Sequence, residues 1–193
     1  MKKVLLLLAE GFETYEAAVF IDVIGWNFVD GDHSTQLFSC GLKREIQSSF
    51  GQKIMVDHLI HEINVKEFDA LAIPGGFEEY NFYNDAYSET FLGLIRQFHA
   101  QKKIIASICV GALPVGKSGI LSGNKGTTYN KKPIRQETLR SFGVDVQNQP
   151  IVVDENIITC WNPSTAIDVA FILLEMLTTH KNAEYLKNLM GFS

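Results

Sequence analysis

A chain of 193 residues with 46% hydrophobic and 20% charged side chains has the length and balance of one soluble globular unit with its own core. Its net charge of −5 gives no electrostatic attraction to nucleic acid or to an anionic membrane surface, and no window approaches the ~20 apolar residues that cross a bilayer. Three cysteines, Cys40, Cys109 and Cys160, are too few and too scattered for a disulfide framework, so a reduced, cytoplasmic compartment is expected.

The opening stretch MKKVLLLLAEGFE puts Lys2 and Lys3 ahead of an apolar run, as a secretion signal does. The run ends at Ala9, however, and Glu10 and Glu13 stand where a small-residue cleavage site belongs. Val4 to Ala9 is therefore read as a first strand, buried on both faces and stopped by Gly11. From Thr14 to about Val29, Tyr15, Val19, Val23 and Trp26 recur at helical spacing beside Ala17, Phe20 and Ile24, with Glu13 and Glu16 at the acidic start. STQLFSC (Ser34 to Cys40) alternates like a strand, and KIMVDH (Lys53 to His58) is a second candidate. DALAIPGG (Asp69 to Gly76) is a buried strand halted by Pro74-Gly75-Gly76. Asp85 to Ala100 reads as a helix and Lys103 to Ile108 as a strand. Val110 to Lys117 reads as a helix with Pro114 near its start, and Lys132 to Phe142 as one opened by Pro133 and closed by Gly143. IVVDENIITC (Ile151 to Cys160) is two short strands around an Asp154-Glu155-Asn156 turn. A long helix, capped by Asn162, runs from Pro163 to about Thr179.

No repeat, low-complexity tract or linker interrupts this order, so residues 1–193 are read as a single domain. Strands alternating with helices mean an α/β fold, a mostly parallel central sheet covered on both faces in three layers. Right-handed crossovers bring every strand-to-helix loop to one edge of such a sheet, where ligands bind. Three loops therefore converge: Glu10 to Glu16, Gly75 to Phe77, and the turn at Cys109.

At that turn, Ser107-Ile108-Cys109-Val110-Gly111 has a small residue two before and two after its cysteine. A nucleophile elbow makes the same steric demand. A sulfur exposed there faces the N-terminus of the next helix, a setting that lowers a thiol pKa from ~8.5 into the range of about 3.5–7.5. The N–H of Val110 and a facing N–H of Gly76 are candidates for an oxyanion hole. Against this stands the common role of a free cysteine as a small buried hydrophobe, the reading preferred for Cys40 and Cys160. Glu16 is by itself a residue that suits a first helical turn; beside a thiolate its carboxyl would be protonated and able to move protons.

The segments LLLLAEGFETYEAAVFIDVI, LAIPGGFEEYN, IIASICVGALPVGKSGILSGNKGTTY and IITCWNPSTAIDVAFILLEML resemble, in order and spacing, the DJ-1/PfpI (ThiJ) superfamily over nearly the whole chain. The resemblance is to its DJ-1-like branch, because Val110 follows the cysteine where the PfpI branch carries histidine. It implies a flavodoxin-like sandwich and a homodimer, without cofactor or metal. It implies that Cys109 is the reactive cysteine, that Glu16 hydrogen-bonds its sulfur, and that the N–H groups of Gly76 and Val110 bind an oxyanion or sulfinate. The activities implied are conversion or repair of small reactive carbonyls and their adducts, glyoxalase- or deglycase-like. The alternatives are an oxidative-stress sensor or chaperone acting through oxidation of Cys109, and a cysteine hydrolase.

One position departs from the pattern. Tyr129 stands after Thr127-Thr128 where many DJ-1-like enzymes carry histidine, and tyrosine is a poor general base at neutral pH. His58 and His61, three residues apart without further ligands, make no metal site. Trp161-Asn162-Pro163-Ser164 lacks the late histidine and glutamate of a glutamine amidotransferase, and no complete Cys-His-acid triad can be assembled. Gly75, Tyr129 and Trp161 are expected to line the pocket.

Overall fold

The computed structural model describes residues 1–192. Leucines and valines that read as a continuous apolar run form β1 (Lys2–Leu8), and its residues from Val4 to Leu8 have no solvent exposure. A strand buried on both faces belongs in the middle of a parallel sheet, and β1 lies there. Helix α1 (Thr14–Asp30) leads to β2 (Thr35–Gly41), which pairs parallel to β1 from Lys2↔Thr35 to Leu8↔Gly41. A hairpin of β3 (Glu45–Gln47) and β4 (Lys53–Met55) precedes β5 (His58–Leu59), the edge strand beyond β2.

The chain then returns to the other side of β1 as β6 (Ala70–Ile73) and continues through α2 (Phe82–Ala86) and α3 (Glu89–Ala100) into β7 (Ile104–Ser107). After α4 (Ala112–Lys117) come β8 (Lys125–Gly126), α5 (Pro133–Ser141) and β9 (Asp145–Val146), with β8 and β9 paired apart from the main sheet. The strands β10 (Ile151–Asp154) and β11 (Ile157–Cys160) close the other edge, and α6 (Ala166–Leu177) and α7 (His180–Leu189) complete the described chain. The seven-stranded order is β10-β11-β7-β6-β1-β2-β5, parallel except where β10 meets β11. Helices α1, α6 and α7 pack together on one face, and α3, α4 and α5 on the other. This is the three-layer, flavodoxin-like α/β sandwich expected from the sequence. No helix of the described residues is long and apolar enough to cross a membrane.

The path from β1 to β2 runs one way along the sheet, and the path from β6 to β7 runs the other. The loops after β1 and β6 therefore separate at their carboxyl ends, at the topological switch point where open α/β sheets bind ligands.

Local expectations were corrected where polar side chains redirect the backbone. The single helix expected from Asp85 to Ala100 is interrupted, because the Ser88 hydroxyl accepts the Phe91 N–H (3.3 Å) and caps α3 afresh. KIMVDH is two pieces rather than one strand: the Asp57 carboxylate accepts both the N–H and the hydroxyl of Ser39 (2.8 Å each), drawing the chain to β2 between β4 and β5. Helix α1 forms as expected, but Tyr15 and Trp26 face solvent while Glu16 and Asn27 are wholly buried. Asn27 holds its place by donating to Thr35 Oγ1 (2.8 Å) and Asp32 Oδ1 (2.9 Å), bonds that an apolar periodicity does not register.

Candidate active site

The strand β7 ends at Ser107, Ile108 remains extended, and Cys109 turns the chain at φ +57°. A side chain beyond glycine in that left-handed region costs of order 1–3 kcal/mol and persists only where its surroundings enforce it. Here the Thr128 hydroxyl donates to the Cys109 carbonyl (2.8 Å), the Ile108 N–H donates to the Ile73 carbonyl (3.0 Å), and the Cys109 N–H is directed at the Cys160 sulfur. The small residues around the elbow have steric reasons. A Cβ on Gly111 would lie 2.7 Å from the Ile73 carbonyl oxygen, and Ser107 is fully buried with its hydroxyl donating to Ile158 O (3.3 Å).

The Pro74-Gly75-Gly76 loop approaches from β6. The Gly75 N–H donates to Glu16 Oε2 (2.6 Å), and its carbonyl accepts the Glu13 N–H (2.8 Å), so the two peptides flanking Gly75 are both held by the start of α1. A Cβ on Gly75 would sit 2.8 Å from Glu16 Oε2, and one on Gly76 would collide with the Gly11 carbonyl. The Val110 N–H points at the Cys109 sulfur, whereas the Gly76 N–H enters no backbone hydrogen bond among the described residues.

Electrostatics follow from burial. Glu16 has no solvent exposure, and desolvation raises its carboxyl pKa well above the usual range, reinforced by the charge of Glu13. Burial likewise pushes the Cys109 thiol up, and a charged Glu16 would push it further; the Val110 N–H pulls the other way. The lowering expected from a helix N-terminus is thus outweighed, and the helix is short: one tight turn at Cys109–Gly111 followed by six residues of α4. A protonated Glu16 withdraws its charge from the thiol.

A cleft of ≈160 Å³ opens over this floor of Cys109, Val110 and Gly76. Glu13, Phe77, Tyr129, Pro163, Lys132 and Arg135 also line it, together with Glu78 and Glu79. Arg135 is paired with Glu78 (2.9 Å) and lies over the Tyr83 ring (5.2 Å).

A family model for the DJ-1/PfpI family matches residues 2–176. The chain belongs to the DJ-1/PfpI family. Its relatives include an uncharacterized protein of Methanocaldococcus jannaschii, 32% identical over 126 residues, which are 64% of this chain and 59% of that one. Another is the deglycase PfpI of Pyrococcus furiosus, 31% identical over 121 residues, 63% of this chain and 69% of that one. The crystal structure of Drosophila melanogaster DJ-1beta superimposes with a TM-score of 0.84 at 24% identity, covering 98% of this chain and 97% of that one, a likeness of fold. The matched region spans only 59% of the Methanocaldococcus protein and 40% of an Arabidopsis thaliana DJ-1 homolog.

Within this DJ-1/PfpI fold, Cys109, Gly76, Val110 and Tyr129 lie on the cleft, and Glu16 and Gly75 lie directly behind it. Trp161 is not among the residues lining it: the chain turns away at Asn162, whose side-chain oxygen accepts the Ser164 N–H (3.2 Å). Cys160 is fully buried, and burial pushes its thiol up to about 11, with Thr165 and the backbone of Cys109 and Asn162 pulling the other way. Cys40 is buried filler in β2, its thiol also raised by burial. His58 packs against Phe38 and Phe68, and no cluster of three or more metal-ligating side chains occurs among the described residues. Sequence reasoning passed over Glu13, Lys132 and Arg135. The placement of Glu13 one helical turn before Glu16 was a usable signal; α5 carries none for the other two.

Proposed function

We propose that this protein is a cysteine-dependent enzyme acting on small reactive carbonyls or their adducts, glyoxalase- or deglycase-like. One observation carries the reading: Cys109 is held at φ +57° with its sulfur against buried Glu16 and the Val110 N–H, at the floor of a cleft sized for a small molecule. The sulfur adds to a carbonyl carbon, Glu16 passes the thiol proton toward the carbonyl oxygen, and the N–H groups of Gly76 and Val110 steady the oxygen as charge develops. Relatives named deglycases, P. furiosus PfpI among them, support the class of chemistry. Incubation with methylglyoxal and assay of lactate tests it: the wild type should turn over, and Cys109→Ser should lose at least ~10³-fold. Turnover that survives Cys109→Ser overturns the proposal.

A second reading is favoured by the ranking of the thiols. Cys109 retains 6% exposure while Cys40 and Cys160 have none, so oxidation to a sulfinate held by Glu16 would select Cys109. Mass spectrometry after mild peroxide should place two oxygens on Cys109 first. Equal oxidation of the three cysteines would exclude a sensor at this site.

A further inference from the structure

The site has a carboxyl that its family resemblance leaves without a role. Glu13 occupies the N-cap position of α1, yet its side chain makes no capping hydrogen bond. Its backbone N–H is spent on the Gly75 carbonyl (2.8 Å), and its half-buried carboxyl lies against Glu16 while lining the cleft beside Cys109. Glu16 is sealed: one oxygen accepts the Gly75 N–H, and the other is buried without a hydrogen-bonding partner. The ionisable groups that act on Glu16 are Glu13 and Cys109, with Cys160 behind the thiol. The cleft is also lined by Tyr129, Lys132 and Glu79, and by Arg135, which is already paired with Glu78. None of the five histidines lines the cleft. Ionising two neighbouring carboxyls, one of them fully buried, is unfavourable, so the pair tends to share a proton. Desolvation raises the Glu13 pKa as well, and its place on the cleft wall beside Cys109 leaves it open to a substrate.

We propose that Glu13 is a second catalytic carboxylate, the base that moves the carbon-bound proton of the substrate while Glu16 exchanges its proton with the substrate oxygens. This rests on the reactive-carbonyl reading and supplies the base that Tyr129 does not. For a 1,2-dicarbonyl, Cys109 Sγ bonds to the aldehyde carbon and the carbonyl π pair moves to its oxygen, which receives the thiol proton by way of Glu16. Glu13 then takes the proton from that carbon; the C–H pair becomes the C=C bond of an enediol, and the neighbouring ketone oxygen takes the Glu16 proton. Glu13 returns its proton to the second carbon as the first carbon's hydroxyl gives its own back to Glu16, leaving a 2-hydroxy thioester on Cys109. Water cleaves the C–S bond, giving the 2-hydroxy acid and the thiol. One dicarbonyl and one water are consumed, and no oxidant or reductant is required.

The test uses Glu13→Gln and Glu13→Asp in the full chain. With methylglyoxal, Glu13→Gln should lower kcat by ~10²-fold or more and abolish the acidic limb of its pH profile, and Glu13→Asp should recover part of the rate. Without any substrate, iodoacetamide labelling of Cys109 against pH should show an inflection from the carboxyl pair in the wild type that Glu13→Gln lacks. Turnover in Glu13→Gln within threefold of the wild type, or an unchanged labelling profile, overturns the inference. A wild type that does not turn over methylglyoxal overturns the proposed function instead, and the labelling profile still decides whether Glu13 shares the proton.

Discussion

Strands β7 and β11 lie side by side and parallel, and each has a cysteine at its carboxyl end ahead of a turn into a helix at the same edge of the sheet. The two turns solve the crossing differently. After β7 the chain reaches the next helical turn with Cys109 in the left-handed region, and the sulfur comes to the floor of a cleft. After β11 it passes through Trp161 and Asn162 before turning, with Asn162 capping the turn and Pro163 at its first position. Cys160 stays in regular strand geometry with its sulfur buried. A longer, capped crossing removes the strain and the exposure together; the short one keeps both. The two are also linked, because the Cys109 backbone acts on the Cys160 thiol and favours its charged form.

The largest contrast should appear in activity. Cys109→Ser removes the nucleophile and should cost at least ~10³-fold in turnover, whereas Cys160→Ser leaves the nucleophile in place and should stay within about tenfold. Comparable losses in the two variants would mean that the crossing at Cys160 takes part in the chemistry.

A second difference lies in charge, and it shows as stability against pH. The folded-state pKa of Glu16 is raised by burial, so its carboxyl is protonated in the fold at pH values where the unfolded chain has released that proton. Stability is therefore complete below the unfolded carboxyl value of ~4.3 and falls as pH rises toward the folded one. Glu16→Gln keeps an acceptor for the Gly75 N–H and has no proton to lose. Its melting temperature should exceed that of the wild type by several degrees at neutral pH, with the gap closing as pH falls to about 4. A gap that widens toward acid would show that Glu16 is ionised in the fold.

The elbow was legible because close backbone approach leaves a local mark: Ser107, Gly111, Gly75 and Gly76 are small where another chain segment passes within contact. The parallel core was legible for a similar reason, since Val4 to Leu8 and Ala70 to Ile73 need apolar side chains on both faces. Arg135 was not, because nothing in α5 distinguishes it from its neighbours until that helix packs over the cleft and Glu78 and Tyr83 fix its guanidinium. The raised thiol escaped as well: proximity to a helix start can be read along the chain, but the depth of burial and the approach of Glu16 come from the fold. Trp161 is close to the site in sequence, yet one asparagine cap is enough to turn it away.

The smallest effect isolates the backbone itself. Replacing either cysteine by alanine or glycine removes the sulfur, so the Gly-minus-Ala difference at each position reports mainly on φ. At Cys109, φ +57° strains alanine and not glycine, and Cys109→Gly should be more stable than Cys109→Ala by about 1 kcal/mol. At Cys160, in a buried strand, glycine only adds unfolded-state freedom and loses packing, so Cys160→Gly should be less stable than Cys160→Ala by about 1 kcal/mol. Denaturant midpoints at constant m measure both differences. Opposite signs locate the stored strain in the Cys109 turn, and equal signs would mean that the elbow is held without strain and that the Cys109 sulfur owes its position to side-chain packing alone.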